Sequence, residues 1–193
     1  MATTVRFHIT GIAPLIMHNG RLADPLDEAT KALASVTGKR KKTDADIEEI
    51  ARLEFMGSLY LNDKGEPIIP ARWVYGCLAG KGGAARKNKA GTEAKAGLFV
   101  VGNFPLSYDG PRDAKGLWKD ARFRSRVNAK VGQATIMRTR PIFEEWAAEV
   151  EVGYNPEIVN RADLIEWMTL AGEQIGMGDW RPQYGRFTAE TLE

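Results

Sequence analysis

The side chains in this sequence most suited to binding chemistry are basic residues that occur in runs with few carboxylate neighbours. Six basic residues and no acidic one lie between Ala121 and Phe143. Five more lie between Lys81 and Lys95, where Glu93 is the single acid, and the run from Lys39 to Lys42 adds four. Cations held close together repel one another, and an anion offsets that repulsion. These runs therefore predict a polyanionic ligand such as a phosphate backbone, although pairing with acids elsewhere in the chain, or simple solvation, also explains them.

A second candidate segment, close to the C-terminus, combines glycine, arginine and aromatic residues. The glycines allow the backbone to approach a ligand, the arginines supply charge, and the rings offer surfaces on which a base can stack. Its members are Gly176, Gly178, Gly185, Arg181, Arg186, Trp180 and Tyr184. A helix end followed by a turn, with its rings packed in the core, is the structural alternative.

Residues able to transfer protons are few. His8 and His18 are the two histidines, and histidine titrates near neutrality, so either is a candidate for RNA cleavage. Asp24 is a candidate for holding a metal or removing a 2'-hydroxyl proton, but a turn at Asp24 and helix capping by Asp27 account for both aspartates. The lone cysteine, Cys77, excludes an intrachain disulfide framework and is expected in the core. The sequence predicts no cofactor and no metal.

Length and composition limit the class of protein. The chain has 193 residues, of which 44% are hydrophobic, and a formal net charge of +2. We therefore expect one domain with a sizeable core. No apolar run reaches the roughly 20 residues needed to cross a bilayer, and the N-terminus lacks the pattern of a secretory signal. The expectation is a cytoplasmic protein without a membrane partner.

Hydrophobic periodicity predicts the elements that position these residues. In chain order they are a strand around Val5 to Ile9, a helix over residues 28–36, a helix from Thr43 to about Met56, a hairpin within residues 57–70, a helix from Pro70, a strand over residues 98–101, a short helix over residues 115–119, a long basic hairpin of residues 125–131 and 134–142 around Gly132 and Gln133, a strand over residues 146–154, a helix after Asn160 and a strand over residues 186–189. Residues 80–97 show no packing pattern and are predicted to form a mobile basic loop.

Without its insertions, the predicted order is strand, helix, strand, strand, helix, strand. That order is typical of a ferredoxin-like α+β fold. The insertions cover about residues 20–65, which are helical, and residues 102–143, which contain the basic hairpin. We therefore predict a single domain over residues 1–193. The exposed side of the first strand lacks the aromatic pair of an RNA recognition motif, so the sheet face is not the expected binding platform.

Two segments in this order are similar to motifs of the RAMP superfamily. In residues 66–86, EPIIPARWVYGCLAGKGGAAR, a strand ending in Ile-Pro leads into a helix that carries a glycine and ends in basic residues. Residues 172–187, GEQIGMGDWRPQYGRF, are similar to the glycine-rich loop between the second helix and the last strand. The chain thus resembles the backbone subunit of CRISPR effector complexes, and it also resembles proteins of tailed phages, which implies a stand-alone phage-encoded relative.

The resemblance implies a modified RNA-recognition fold whose copies assemble side by side along a single strand. An inserted hairpin, the thumb, reaches over the strand in such subunits. The residues expected to hold phosphates are Arg124, Arg126, Lys130, Arg138 and Arg140 of the thumb, Lys81, Arg86, Lys87 and Lys89 after the first core helix, and Arg181 and Arg186 beside the glycine loop, with Tyr184 as a stacking surface.

The leading hypothesis is a non-catalytic protein that binds single-stranded DNA or RNA and oligomerises along it. One alternative is an endoribonuclease of the same superfamily that uses His8, His18 or Asp24. Another is an inhibitor or interaction module that mimics a CRISPR backbone subunit. Backbone contacts carry little base identity, so sequence alone does not choose between DNA and RNA.

Overall fold

The computed structural model describes residues 3–131 and 134–192, and for residues 130, 131 and 134 it describes only the backbone. The elements in chain order are β1 (Thr3–Gly11), β2 (Leu15–Ile16), α1 (Glu28–Thr37), α2 (Asp44–Ser58), β3 (Ile68–Pro70), α3 (Ala71–Ala79), α4 (Ala84–Lys87), α5 (Gly91–Gly97), β4 (Leu98–Phe99), β5 (Asn103–Pro105), α6 (Ala114–Lys119), β6 (Arg124–Val131), β7 (Ala134–Phe143), β8 (Ala147–Tyr154), α7 (Arg161–Gln174) and β9 (Phe187–Leu192). The protein has an α+β fold.

The chain divides into two compact units. The first unit takes the chain up to Leu15, then Ile68–Asp109, then the chain from Glu144 onwards. The second unit consists of Ile16–Pro67 and Gly110–Phe143. These two segments lie close to the insertions predicted at residues 20–65 and 102–143, and the assignment of everything to a single domain stays a prediction.

The first unit contains a four-stranded sheet in the order β4-β8-β1-β9, with every neighbouring pair antiparallel. Val5, Phe7 and Ile9 of β1 are buried, because alternate side chains of a strand point to the same face. The chain passes through α3 between β1 and β4, and through α7 between β8 and β9. The apolar stripes of these helices complete the core, as the spacing of Val74 and Leu78 on α3 predicts.

The second unit contains α1, α2, α6, strands β6 and β7, and Ile16 of β2, which belong to the three-stranded sheet of order β2-β7-β6. Helix α2 begins with a capping box in which the Thr43 side chain accepts from the Asp46 amide and Asp46 accepts from the Thr43 amide. The helix packs against β7, and Phe55 is fully buried. Strands β6 and β7 form the basic hairpin predicted from the sequence, whose turn, Gly132 and Gln133, lies outside the described residues.

Most predicted elements are confirmed to within a few residues, and three predictions are corrected. The basic loop expected over residues 80–97 is wrong, since α4 and α5 lie there with Ala84, Ala85 and Ala94 fully buried. Alanine is a strong helix former, and its small side chain lets short helices pack closely. The strand over residues 98–101 is limited to β4. The hairpin predicted within residues 57–70 is reduced to a single bridge between Leu61 and Pro67, because β3 pairs with β5 instead.

Among the described residues, no helix has both the length and the apolar character needed to cross a membrane.

Candidate nucleic-acid interface

Helices α4 and α5 gather the basic residues that follow α3. Gly83 precedes α4, and the chain leaves the helix through Lys89, whose φ of 62° lies in the left-handed region. The Lys89 amide donates to the Arg86 carbonyl, and the Ala90 amide donates to the Ala85 carbonyl, which ends the helix. Glycine or asparagine usually occupies such a position, because a side chain is strained there.

The first hollow of this surface is lined by Arg86, Lys89 and Lys95, with Gly91 and Thr92 between them, and its volume is about 270 Å³. All three basic residues are exposed. Within the described part of the chain, none of the three forms an ion pair with a carboxylate. Three cations around one concavity attract an anion.

The second hollow, of about 210 Å³, brings α4 together with the glycine-rich segment. Its lining includes Lys87 and Arg181, with Gly82 and Gln174 beside them. The Lys87 ammonium donates to the Gln174 side-chain oxygen at 3.0 Å. Arg86 and Lys87 serve different hollows because consecutive helical residues point in different directions. We call Arg86, Lys87, Lys89, Lys95 and Arg181 the basic surface, and Lys81, which is exposed, precedes Gly82 at its edge.

The glycine-rich segment is held by its own backbone. Gly176 and Gly185 have φ values of 72° and 69°. The Gly176 amide donates to the Ala171 carbonyl, and the Gly185 amide donates to the Pro14 carbonyl, both at 2.8 Å. These two amides are therefore used within the fold, and the glycines serve the turn that presents Arg181. Gly178, with a φ of 74°, belongs to the same turn.

The aromatic residues of this segment contact each other with tilted rings. The Trp180 and Tyr184 rings lie 5.8 Å apart at an angle of 51°, and both residues are half-buried. Arg186 is exposed, while its backbone carbonyl accepts from the amides of Ile12 and Ala13. Tyr184 is therefore only partly available as a stacking surface.

In the second unit, the hairpin cations have different surroundings. The Arg124 guanidinium lies 4.9 Å from the centre of the Trp118 ring, a cation–π contact. Arg126 is exposed and lines a cleft beside α2. Arg140 is half-buried. The Lys130 side chain lies outside the described residues.

Arg138 has a carboxylate partner that the sequence did not indicate. Its guanidinium donates to Glu54 of α2, whose second carboxylate oxygen accepts from the Thr139 amide at 2.9 Å. The Glu54 side chain is only 6% exposed, against 33% for Arg138. This arginine therefore holds the hairpin to α2, and its charge is largely neutralised before any ligand arrives.

The candidate proton-transfer residues belong to different compact units. His8 belongs to the first unit, whereas His18 and Asp24 belong to the second. The Asp24 carboxylate accepts from the Leu26 amide at 2.9 Å, and Asp27 caps α1 by accepting from the Ala29 amide at 2.8 Å. Across the described residues, no group of three His, Cys, Asp or Glu side chains lies close enough to hold a metal ion.

The exposed face of the four-stranded sheet is acidic. His8 lies opposite Glu149 on one side and Glu190 on the other, and Arg6 lies opposite Glu151. The three glutamates are exposed. Carboxylates repel phosphate, so this face is less suited to a nucleic-acid backbone than the basic surface.

Cys77 is a core residue, as its position on the apolar side of α3 predicts. It is fully buried, and its thiol donates to the Val74 carbonyl. Burial raises the pKa of the Cys77 thiol to about 12, although the positive charge of Arg181 opposes part of that shift. A thiol with such a pKa is inert as a nucleophile near neutral pH.

Several residues of these surfaces were not singled out from the sequence. Lys95 lies within the basic run of residues 81–95, and α5 directs it towards Arg86 and Lys89. Trp118 and Glu54 carried no sequence signal, because their roles depend on partners elsewhere in the second unit. Comparison with family models and with curated proteins gave no match for the chain.

Proposed function

We propose that this protein binds single-stranded nucleic acid without cleaving it, and that the basic surface holds the phosphates. The observation that carries the proposal is the convergence of Arg86, Lys89 and Lys95 around one hollow, with Lys87 and Arg181 around the next. These side chains come from α4, α5 and the glycine-rich segment. Phosphate contacts of this kind supply most of the affinity of sequence-independent binding.

The four-stranded unit is, in this proposal, a ferredoxin-like core of the RAMP type, and the basic hairpin is its thumb. The sheet order β4-β8-β1-β9, with α3 and α7 as the connecting helices, supports the first part. The exposed Arg126, and Arg124 in cation–π contact with Trp118, support the assignment of the hairpin as the thumb. A stand-alone, phage-encoded relative that forms oligomers along the strand is the biological setting that we propose.

Fluorescence anisotropy with a labelled single strand tests the binding. A single strand contributes roughly −0.7 to the slope of log affinity against log salt for each neutralised phosphate, so the basic surface predicts a slope of about −2 to −3.5. Arg86→Gln should make the slope less steep by about 0.7. The matched control is Arg161→Gln, which removes the same charge from an exposed residue of this unit outside both hollows.

Equal slopes for the wild type and Arg86→Gln, or binding that does not respond to salt, would contradict the proposal.

Oligomerisation is tested separately by electron microscopy and sedimentation of the protein with nucleic-acid strands of increasing length. Regular filaments only in the presence of a strand are expected. Filaments of equal length without a strand would contradict assembly along the nucleic acid.

Cleavage is tested by prolonged incubation of the protein with RNA. Intact RNA is expected, and discrete cleavage products would favour the endoribonuclease instead.

A further inference from the structure

The second unit contains an open cleft of about 700 Å³ with oppositely charged walls. Helix α2 supplies Asp44 and Glu48 to one wall, and strand β6 supplies Arg124 and Arg126 to the other. Trp118 of α6 also lines the cleft. Both carboxylates lie on one side of α2 because residues four apart in a helix are neighbours.

The charges of these two walls do not neutralise each other. Among the residues that the structure describes, neither Asp44 nor Glu48 lies within ion-pair distance of Arg124 or Arg126. Other acids of α2 do have partners, since Glu49 pairs with Arg52 at 2.7 Å. The cleft therefore leaves room for a ligand that carries hydrogen-bond donors at one end and negative charge at the other.

The lining of the cleft includes aromatic and apolar surface. The Trp118 indole is half-buried, with its ring centre 5.4 Å from that of Phe55 in an edge-on arrangement. The Arg124 guanidinium lies over the indole ring. Ile47, which is 42% exposed, adds apolar surface beside Asp44 and Glu48. Aromatic and apolar surfaces of this kind bind nucleobases by stacking and contact.

We propose that this cleft binds a guanine nucleotide. An ionised carboxylate accepts hydrogen bonds and donates none, and it has two oxygens side by side. Guanine offers two adjacent donors, N1–H and the N2 amino group, which match Glu48, whereas the corresponding edges of adenine, cytosine and uracil mix donors with acceptors. Arg126 then binds the phosphate. Since the base would belong to the strand proposed above, the site rests on the proposed function and makes it selective for guanine.

Isothermal titration calorimetry of the full chain with GMP, AMP, CMP and UMP tests the site. We expect GMP to bind about tenfold more tightly than the others, the discrimination of one good bidentate contact. Glu48→Gln should abolish that preference. Glu49→Gln is the matched control, because it changes the next acid of α2, which does not line the cleft. Circular dichroism melting establishes that each variant folds.

A second comparison tests recognition of the phosphate separately from recognition of the base. Arg126→Gln should weaken the binding of GMP several-fold and leave that of guanosine, which has no phosphate, unchanged. Equal affinities for the four nucleotides, no nucleotide binding, or the same loss of preference in Glu49→Gln as in Glu48→Gln would overturn the inference.

Binding of nucleic-acid strands distinguishes the guanine site from the proposed function. Salt-dependent binding of strands without any guanine preference would overturn the guanine site and leave the proposed function standing. Selective GMP binding by a protein that binds no strand would support the cleft as a site for the free nucleotide and contradict the proposed function.

Discussion

Glu54 illustrates how one buried charge depends on its partners. Its carboxylate is held by the Arg138 guanidinium and by the Thr139 amide, and the side chain is 6% exposed. A buried charge is tolerated where such partners replace water. The pair therefore fixes the position of β7, whose Thr139 lines the charged cleft, against α2.

Glu54→Ala should lower the free energy of unfolding by about 2 kcal/mol, because it leaves a half-buried guanidinium and a buried amide without their acceptor. Urea denaturation measures this change. The control is Glu49→Ala, which breaks an ion pair whose side chains are 41% and 40% exposed and should cost less than about 0.5 kcal/mol. Equal losses in the free energy of unfolding for the two variants would show that Glu54 contributes no more to stability than an exposed ion pair does.

Lys89 shows strain at the proposed interface. A lysine at a φ of 62° costs about 1 kcal/mol relative to glycine. Lys89→Gly should therefore raise the thermal stability slightly and, at the same time, weaken strand binding by removing one cation from the first hollow. The control is Asn88→Gly at a φ of −86°, where glycine relieves no strain. Unchanged strand affinity in Lys89→Gly would remove this residue from the interface.

At the level of elements, the start of α2 carries a network sensitive to acid. The ammonium of Lys39 donates to Asp46, and the Thr43 amide and hydroxyl donate to the same carboxylate. These contacts, the Lys39 bond foremost, lower the pKa of Asp46 from 3.8 to about 2. A carboxyl whose pKa is lowered by folding stabilises the native state above its unfolded pKa, and that stabilisation is lost as the pH falls towards the folded value.

Carbon-detected NMR titration of the Asp46 carboxyl should therefore give a midpoint near 2 in the wild type. Lys39→Ala should move the midpoint up towards 3.8, since the first cause of the shift is removed. Asp46→Asn should also lose less stability than the wild type between pH 3.8 and 2. A midpoint that stays near 2 in Lys39→Ala would assign the shift to Thr43 alone.

For the whole molecule, the distribution of charge matters more than its total. The net charge is only +2, yet the first unit carries both the basic surface and an acidic sheet face with Glu149, Glu151 and Glu190. Screening limits the reach of exposed charges to about 10 Å at 0.1 M salt. A ligand therefore responds to the local surface, and net charge alone does not identify the binding face.

Glu190→Gln raises the net charge by one and should increase the affinity for a nucleic-acid strand by less than about twofold at moderate salt, because the proposed function places the strand on the basic surface and not on the sheet face. Anisotropy titrations of Glu190→Gln and Arg86→Gln compare the changes in affinity for the nucleic-acid strand. A large gain in affinity from Glu190→Gln would instead mean that the nucleic-acid strand lies on the exposed face of the four-stranded sheet.

Elements with local signals could be predicted from the amino-acid sequence alone. The alternation of Val5, Phe7 and Ile9 predicted β1, Thr43 predicted the start of α2, and the paired runs of residues 125–131 and 134–142 predicted the basic hairpin. Periodicity and capping act within a few residues, so a single sequence displays them.

Contacts between polar side chains that are distant in the sequence could not be predicted and are visible only in the folded chain. Arg138 pairs with Glu54, 84 residues away, and Lys87 contacts Gln174, 87 residues away. The helices α4 and α5 formed where glycine, alanine and lysine showed no pattern, because their stability comes from packing of small side chains against the rest of the unit. Ion pairs and hollows depend on such long-range packing, which no local spacing encodes.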